Sequence, residues 1–421
     1  MPDAPEQRAA PGALNALETL SRRRFLSIGG ALAAGMVSGA SIITTGCDVS
    51  PYGALGEPDG NGIRLPAGFR SRLIARSGDP VGPRGYAWHR APDGGATFAT
   101  RRGGWIYVSN AEILYGGGVG AIVFSPQGRV IDAYSILSGT HRNCAGGATP
   151  WQTWLSCEEV AIGQVYECDP WGERPAVVRP ALGRFNHEAV AVDPHDRALY
   201  LTEDEADGCL YRFLPNAWPE LGSGRLEIAE VGSDARLVWH PVPNADPNLS
   251  AGETPTRRQV PEATPFRGGE GIVYDEAARS VFFSTKHDGR VWQYRPASGA
   301  IRVLYEPAAD PLAQLTGVDN LAMTPTGQVL VAEDGGNMEL VLVDRDGFAS
   351  PLLRVEGQDR SELTGPAFDP KGQRLYVSSQ RGIDGRGLTY EVRGPFARGN
   401  RWHREHEVRR GRHGARHGKA G

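Results

Sequence analysis

Cysteine is scarce in this sequence, with five in 421 residues. A scaffold built on disulfides is therefore excluded, since a chain of this length would need many more. An excess of either charge is also lacking. Forty-five Lys and Arg stand against 49 Asp and Glu, a formal net charge of −4, so nothing points to a nucleic-acid partner. No G-x-S-x-G elbow and no phosphate-binding loop occurs, which removes the activated serine and the P-loop as sources of chemistry. Plentiful instead are Gly (56) and Pro (31), a composition of many turns rather than long helices.

Both ends read as segments outside the fold. Ser21-Arg22-Arg23-Arg24-Phe25-Leu26 precedes the apolar, small-residue run Ile28 to Ile43 and looks like a twin-arginine export leader. The run spans 16 residues, short for a membrane anchor. Thr44-Thr45-Gly46-Cys47 resembles a lipoprotein box with Cys47 as the lipidated residue, the alternatives being ordinary signal cleavage or an uncleaved tether. Residues 396–421 are rich in Arg, His and Gly and read as a disordered basic tail. The expectation is a monomer exported through the twin-arginine machinery to the periplasm or cell surface. That route carries folded proteins, and a metal inserted before export is its usual reason.

Between these ends the chain repeats. "WIYVSN", "TWLSCEE", "LYLTEDE", "VFFSTKHD", "VLVAEDG" and "LYVSSQRG" each read as a strand ending in polar residues. Their markers Ile106, Leu155, Tyr200, Phe282, Leu330 and Tyr376 lie 45–49 residues apart, with one interval of 82. Strand repeats of this period indicate propeller blades. The fold expected is all-β, a six-bladed β-propeller over 81–395, preceded by a leader (1–47) and a linker and lead-in (48–80). The long interval is assigned to a polar insertion over 215–266, a candidate lid. A two-sheet sandwich would not give a six-fold period.

In a blade the first strand leaves a mouth of the channel and the second returns to it. Cys144, His187-Glu188, Glu270 and Asp319-Asn320 precede first strands, while Glu158-Glu159, Glu203-Asp204, Lys286, Asp288 and Glu333-Asp334 follow second strands. Acids are thus aimed at one opening blade after blade. Crowded carboxylates repel, so they call for cations. Oxygen-rich sites suit Ca²⁺, and a thiolate favours a transition metal. Cys144 is the soft ligand in that reading, though a small buried thiol is the bland alternative. Trp154 is a candidate donor to a bound oxyanion. Cys157, Cys168 and Cys209 leave room for one disulfide in an exported protein.

The stretch Asn143-Cys144-Ala145-Gly146-Gly147 through Thr149-Pro150-Trp151, Thr153-Trp154-Leu155 and Cys157-Glu158-Glu159 resembles the PhoX-type alkaline phosphatases. His187-Glu188, Gly269-Glu270-Gly271 and Asp319-Asn320-Leu321 follow in the same order, and the similarity runs from about Gly85 to Gly382. The resemblance implies a propeller that hydrolyses phosphate monoesters with a cofactor of two ferric ions and calcium (Fe³⁺, Ca²⁺) bridged by an oxo group. By position, Cys144 matches the iron-binding cysteine, Glu159, Glu188 and Glu270 match acidic metal ligands, and Trp154 matches the tryptophan on the phosphate. Asp319, Glu333 and Asp334 follow as further metal ligands. Two departures stand out. Gly268 replaces an arginine that the family often has, and Gln380-Arg381-Gly382 replaces a Gln-His-Pro-Gly run. Arg142, Arg267, Lys286 and Arg381 are then the candidates for the positive charge that phosphate requires. The alternatives are a calcium-dependent propeller lactonase or diesterase, which needs no thiolate, and a non-catalytic calcium-binding propeller.

Overall fold

In the computed structural model, which describes residues 50–310 and 314–398, six antiparallel sheets of four or five strands succeed one another along the chain, beside one two-stranded hairpin of Pro80–Val81 and Tyr86–Ala87. Their inner strands, in the order of blades 1 to 6, are Pro92–Ala99, Asn143–Ala148, His187–Asp193, Gly269–Asp275, Leu321–Met323 and Leu363–Phe368. Their second strands are Trp105–Ala111, Trp154–Glu158, Ala198–Glu203, Ser280–Thr285, Val329–Ala332 and Arg374–Ser379. Every marker of the sequence repeat lies on one of these second strands. The protein is an all-β six-bladed propeller, and its only described helices are short 3-10 turns. The leader, Cys47 and residues 399–421 of the basic tail lie outside the described residues. Among the described residues no helix is long and apolar enough to cross a membrane.

Two assignments change. The lead-in over 48–80 supplies blade strands. Arg70–Arg76 pairs with Leu388–Arg393 as the outer strand of blade 6, and Ile63–Arg64 pairs with the outer strand of blade 5. The ring is thereby closed by hydrogen bonds between the two ends of the propeller. The insertion is also shorter than its polar composition implied. Leu210–Ala217 and Glu220–Val231 are the third and fourth strands of blade 3 and Leu237–Pro241 is a fifth, so only 242–268 is loop. Edge strands facing water carry polar residues, which is why this stretch does not read as sheet.

The second strands are almost wholly buried, because each is sandwiched between two neighbouring blades. In blade 1, Trp105 and Tyr107 pack toward Ala367 and Tyr376 of blade 6, while Ile106 and Val108 pack toward Trp154 and Cys168 of blade 2. Period-two alternation thus sends both halves of the strand into cores, and the sequence reads as a continuous apolar run. Six such apolar clusters fill the six interfaces between blades. Close approach of inner strands needs small residues. A Cβ on Gly146 would collide with the Leu155 carbonyl oxygen, and one on Gly147 with that of Val190. Cys144, Cys157, Cys168 and Cys209 are all free and buried, so the disulfide allowed by the sequence does not form among them.

Candidate functional site

The inner strands of blades 1 to 4 open with a one-residue bulge. In blade 3, His187 pairs with Glu203 and Val190 with Leu201, so Glu188 and Ala189 both oppose Thr202. The same irregularity places Asp93, Cys144 and Glu270 in blades 1, 2 and 4. A bulge re-aims side chains at a barrel or sheet rim, and these four all line one pocket at the channel mouth. In blades 1, 3 and 4 the residue facing the bulge clamps the next blade. Asn110 Nδ2 donates to the carbonyls of Cys144 (3.0 Å) and Ala145 (2.8 Å). The Thr202 hydroxyl donates to the Glu270 carbonyl, and that of Ser284 to the Asp319 carbonyl at 2.7 Å.

The second strands contribute in pairs. At each acid pair the first carboxylate turns back to hold its own loop, and in blades 2 and 5 the second lines the pocket. Glu158 accepts the backbone N–H of His141 and Gln164. Glu203 accepts those of Cys209 and the Tyr211 hydroxyl. Glu333 accepts the N–H of Thr316 (2.6 Å) and Glu339 (3.0 Å) and the Thr316 hydroxyl (2.9 Å). Glu159 and Asp334 line the pocket, as do Glu112, Lys286 and Arg381 at the equivalent places of blades 1, 4 and 6.

The pocket measures about 170 Å³ and gathers Asp93, Glu112, Glu159, Glu188, Glu270, Asp319, Asp334 and Glu362, with the Cys144 thiol and three cations, Arg142, Lys286 and Arg381. Eight acids against three bases leave a large uncompensated negative charge in a largely buried space. Burial first, then mutual repulsion, pushes the carboxyls up: Glu159 to about 8, Glu362 to about 9 and Asp319 to about 7. Asp93, Glu188 and the Cys144 thiol rise well above their ordinary ranges for the same reasons. Glu270 is also raised by burial, although the Lys286 ammonium lies 2.8 Å from its Oε1 and opposes the rise. That oxygen is buried, and despite this ion pair it has no partner in hydrogen-bond geometry. Lys286 also faces Asp334 at 3.5 Å and Asp204 at 3.9 Å.

Two triads stand out within this ring. One ligand atom each from Cys144, Glu159 and Glu188 lies within 4.8 Å of the others, and so does one each from Glu188, Glu270 and Asp319. Glu188 belongs to both, and the Cys144 Sγ lies 3.3 Å from its Oε1.

The structure thus brings together Arg142, Cys144, Glu159, Glu188, Glu270, Lys286, Asp319, Asp334 and Arg381 of the residues singled out from the sequence. Three others stand apart. Trp154 is buried in its strand, and its indole N–H is taken by Asn110 Oδ1 at 2.9 Å, so it has no free donor for an oxyanion. Glu333 is spent on the loop described above. Arg267 is exposed, outside the pocket, and leans on the Ala206 carbonyl at 3.4 Å. Gly268 sits at φ +65°, where an arginine would be strained, and its carbonyl accepts the Lys286 N–H. Lys286 therefore brings a cation to the pocket from this corner. Asp93, Glu112, Glu362 and Gln380 went unrecognised in the sequence. Asp93 sits in Pro92-Asp93-Gly94, which imitates a turn, whereas Glu112 was recoverable by aligning it with Glu159 and Asp334.

The sequence matches the family model described as alkaline phosphatase PhoX over residues 128–169 and 160–382. No curated protein matches it. Among solved structures, it is similar to a gluconolactonase from Xanthomonas campestris (14% identity, TM-score 0.49, covering 82% of this chain and 99% of that one). It is similar also to a protein of unknown function from Bacteroides thetaiotaomicron (11%, TM-score 0.49, 77% and 76%). A third is the calcium-binding protein regucalcin from Agrobacterium tumefaciens (14%, TM-score 0.40, 77% and 96%). Since the family model spans more than half of the 421 residues, this chain belongs to the PhoX alkaline phosphatase family.

Proposed function

We propose that the protein hydrolyses phosphate monoesters at the acidic pocket, with iron and calcium as resident ions. The observation that carries this reading is the pair of triads sharing Glu188. The donor sets fit the two kinds of ion the family implies. Cys144, Glu159 and Glu188 offer sulfur with oxygen and would hold iron, while Glu188, Glu270 and Asp319 offer only oxygen and would hold calcium. The surplus of acids supports the same assignment, because such carboxyls stay ionised only beside cations. Bound there, the ions would supply Lewis-acid charge for the phosphoryl oxygens and activate water for attack on phosphorus.

The remaining work falls to the chain itself. Arg142, Lys286 and Arg381 line the same pocket and would orient the phosphoryl group. Burial by itself would lower the Lys286 pKa, but the carboxylates of Glu270, Asp319 and Asp204 together outweigh it and hold the ammonium protonated. Arg142 is held at φ +40°, a strained conformation for a non-glycine residue, beside Cys144. We further propose that the leader sends the folded protein out of the cytoplasm by the twin-arginine route, with Cys47 as its lipid anchor.

Elemental analysis of the purified protein, paired with turnover of p-nitrophenyl phosphate, tests this. Iron with calcium and phosphatase activity, both lost in Cys144→Ser, is the expected result. Calcium without iron, or full activity in Cys144→Ser, would overturn the assignment, and turnover of a lactone alone would move it to the lactonase class.

A further inference from the structure

Ten large hydrophobic side chains are exposed among the described residues, and six of them lie on outer strands or an outer turn. The other four, Leu114, Tyr115, Ile162 and Ile383, occupy the loops after the second strands of blades 1, 2 and 6, which are consecutive in the ring. Each follows a pocket residue by two or three positions: Leu114 and Tyr115 follow Glu112, Ile162 follows Glu159, and Ile383 follows Arg381. Tyr115 is 77% exposed and Ile383 75%. Tyr115 is nonetheless held in place. Its ring stands edge-on to His141 with centroids 5.9 Å apart, and His141 Nδ1 lies 2.8 Å from the Leu114 carbonyl. The next residue, Arg142, donates its N–H to the Ile113 carbonyl at 2.8 Å and lines the pocket. In blades 3, 4 and 5 the corresponding loops carry Glu205, Asp207, His287, Asp288 and Asn337, with no large exposed hydrophobic among the described residues.

The mouth is therefore two-sided. Its pocket, about 170 Å³ and lined by charged side chains, the Gln380 amide and the Cys144 thiol, suits a phosphoryl group and not an alkyl chain. The alcohol part of an ester seated there must lie at the mouth. We propose that the apolar half-rim of Leu114, Tyr115, Ile162 and Ile383 receives that part, so that the substrates are monoesters of apolar alcohols rather than of sugars or polyols. This rests on the phosphatase reading and adds a substrate class to it. Burial of methylenes against a rim is favourable in proportion to the area removed from water.

The test uses n-alkyl phosphates from ethyl to hexyl, which change in chain length and hardly in leaving-group acidity. With roughly half of each added methylene buried, kcat/KM should rise about tenfold over the series. In Tyr115→Ser/Ile383→Ser, and in Tyr115→Ser alone, the hexyl-to-ethyl ratio should fall toward one. The binding of the matching alkylphosphonates, measured by calorimetry, should show the same dependence. A flat series in the native protein, or an unchanged slope in the variants, overturns the proposal. Phosphonate affinity that rises with chain length in a protein unable to hydrolyse any ester would sink the phosphatase reading and keep the rim. Vesicle co-sedimentation that the same substitutions abolish, with a flat alkyl series, would make the rim a membrane face and refute the proposal.

Discussion

Replacing Asn110 by alanine should damage stability and the metal site together, although Asn110 lines neither triad. Its amide makes four buried hydrogen bonds. Nδ2 donates to the Cys144 and Ala145 carbonyls, and Oδ1 accepts from the Trp154 indole (2.9 Å) and the Ser156 hydroxyl (2.9 Å). Alanine strands the indole N–H and two carbonyls in a site closed to water. Ser156 suffers less, since its hydroxyl still accepts from Asn143 Nδ2 at 2.9 Å. An unpaired buried donor costs about 1–3 kcal/mol and a carbonyl somewhat less, so the total is about 3–5 kcal/mol. The bulge that carries Cys144 also loses its tie to blade 1, so iron content should fall. Urea unfolding and elemental analysis of the same preparation measure both effects. A loss below about 1 kcal/mol with native iron content would refute the idea that Asn110 positions Cys144.

Thr202→Val removes the hydroxyl that accepts from Ala189 N–H and donates to the Glu270 carbonyl, at nearly constant volume. It should cost about 1–3 kcal/mol and weaken calcium binding, read by calcium titration of the stripped protein. Glu333→Gln and Asp334→Asn should separate stability from activity. The first weakens three loop hydrogen bonds and lowers the denaturation midpoint, whereas the second removes a pocket charge and changes turnover with little change in midpoint. The stripped protein should lose stability as pH rises. Glu159, Asp319 and Glu362 hold their protons when folded up to about 8, 7 and 9, while the unfolded chain releases them near 4 to 4.5. The unfolded state therefore gains on the folded one across that window and the effect levels off above it. Added calcium should flatten the profile between pH 5 and about 9, since it favours the ionised carboxyls, and thermal denaturation across pH checks this.

Much of this protein was legible before folding. The period of 45–49 residues marked the repeats as blades and their six copies gave the number, because each blade must bury the same two faces of its second strand. The sorting of the acids was not legible to the same depth. Glu158 and Glu159, or Glu333 and Asp334, are alike as letters, and only the backbone at the strand end decides which carboxylate holds a loop and which meets the pocket. Trp154 carried a family motif, yet its N–H is committed to Asn110, a residue 44 positions away.

By itself, then, the sequence determined the all-β repeat, the shared mouth for its polar strand ends, and Cys144 among acids. The tertiary structure alone decided the closure by Arg70–Arg76, the bulges that aim Asp93, Cys144, Glu188 and Glu270 inward, and the exclusion of Trp154, Arg267 and Glu333. The reason is one of range. Apolar period and turn chemistry are local and survive as patterns in the chain. Which atoms share a pocket depends on contacts between blades, and those come from residues tens to hundreds of positions apart.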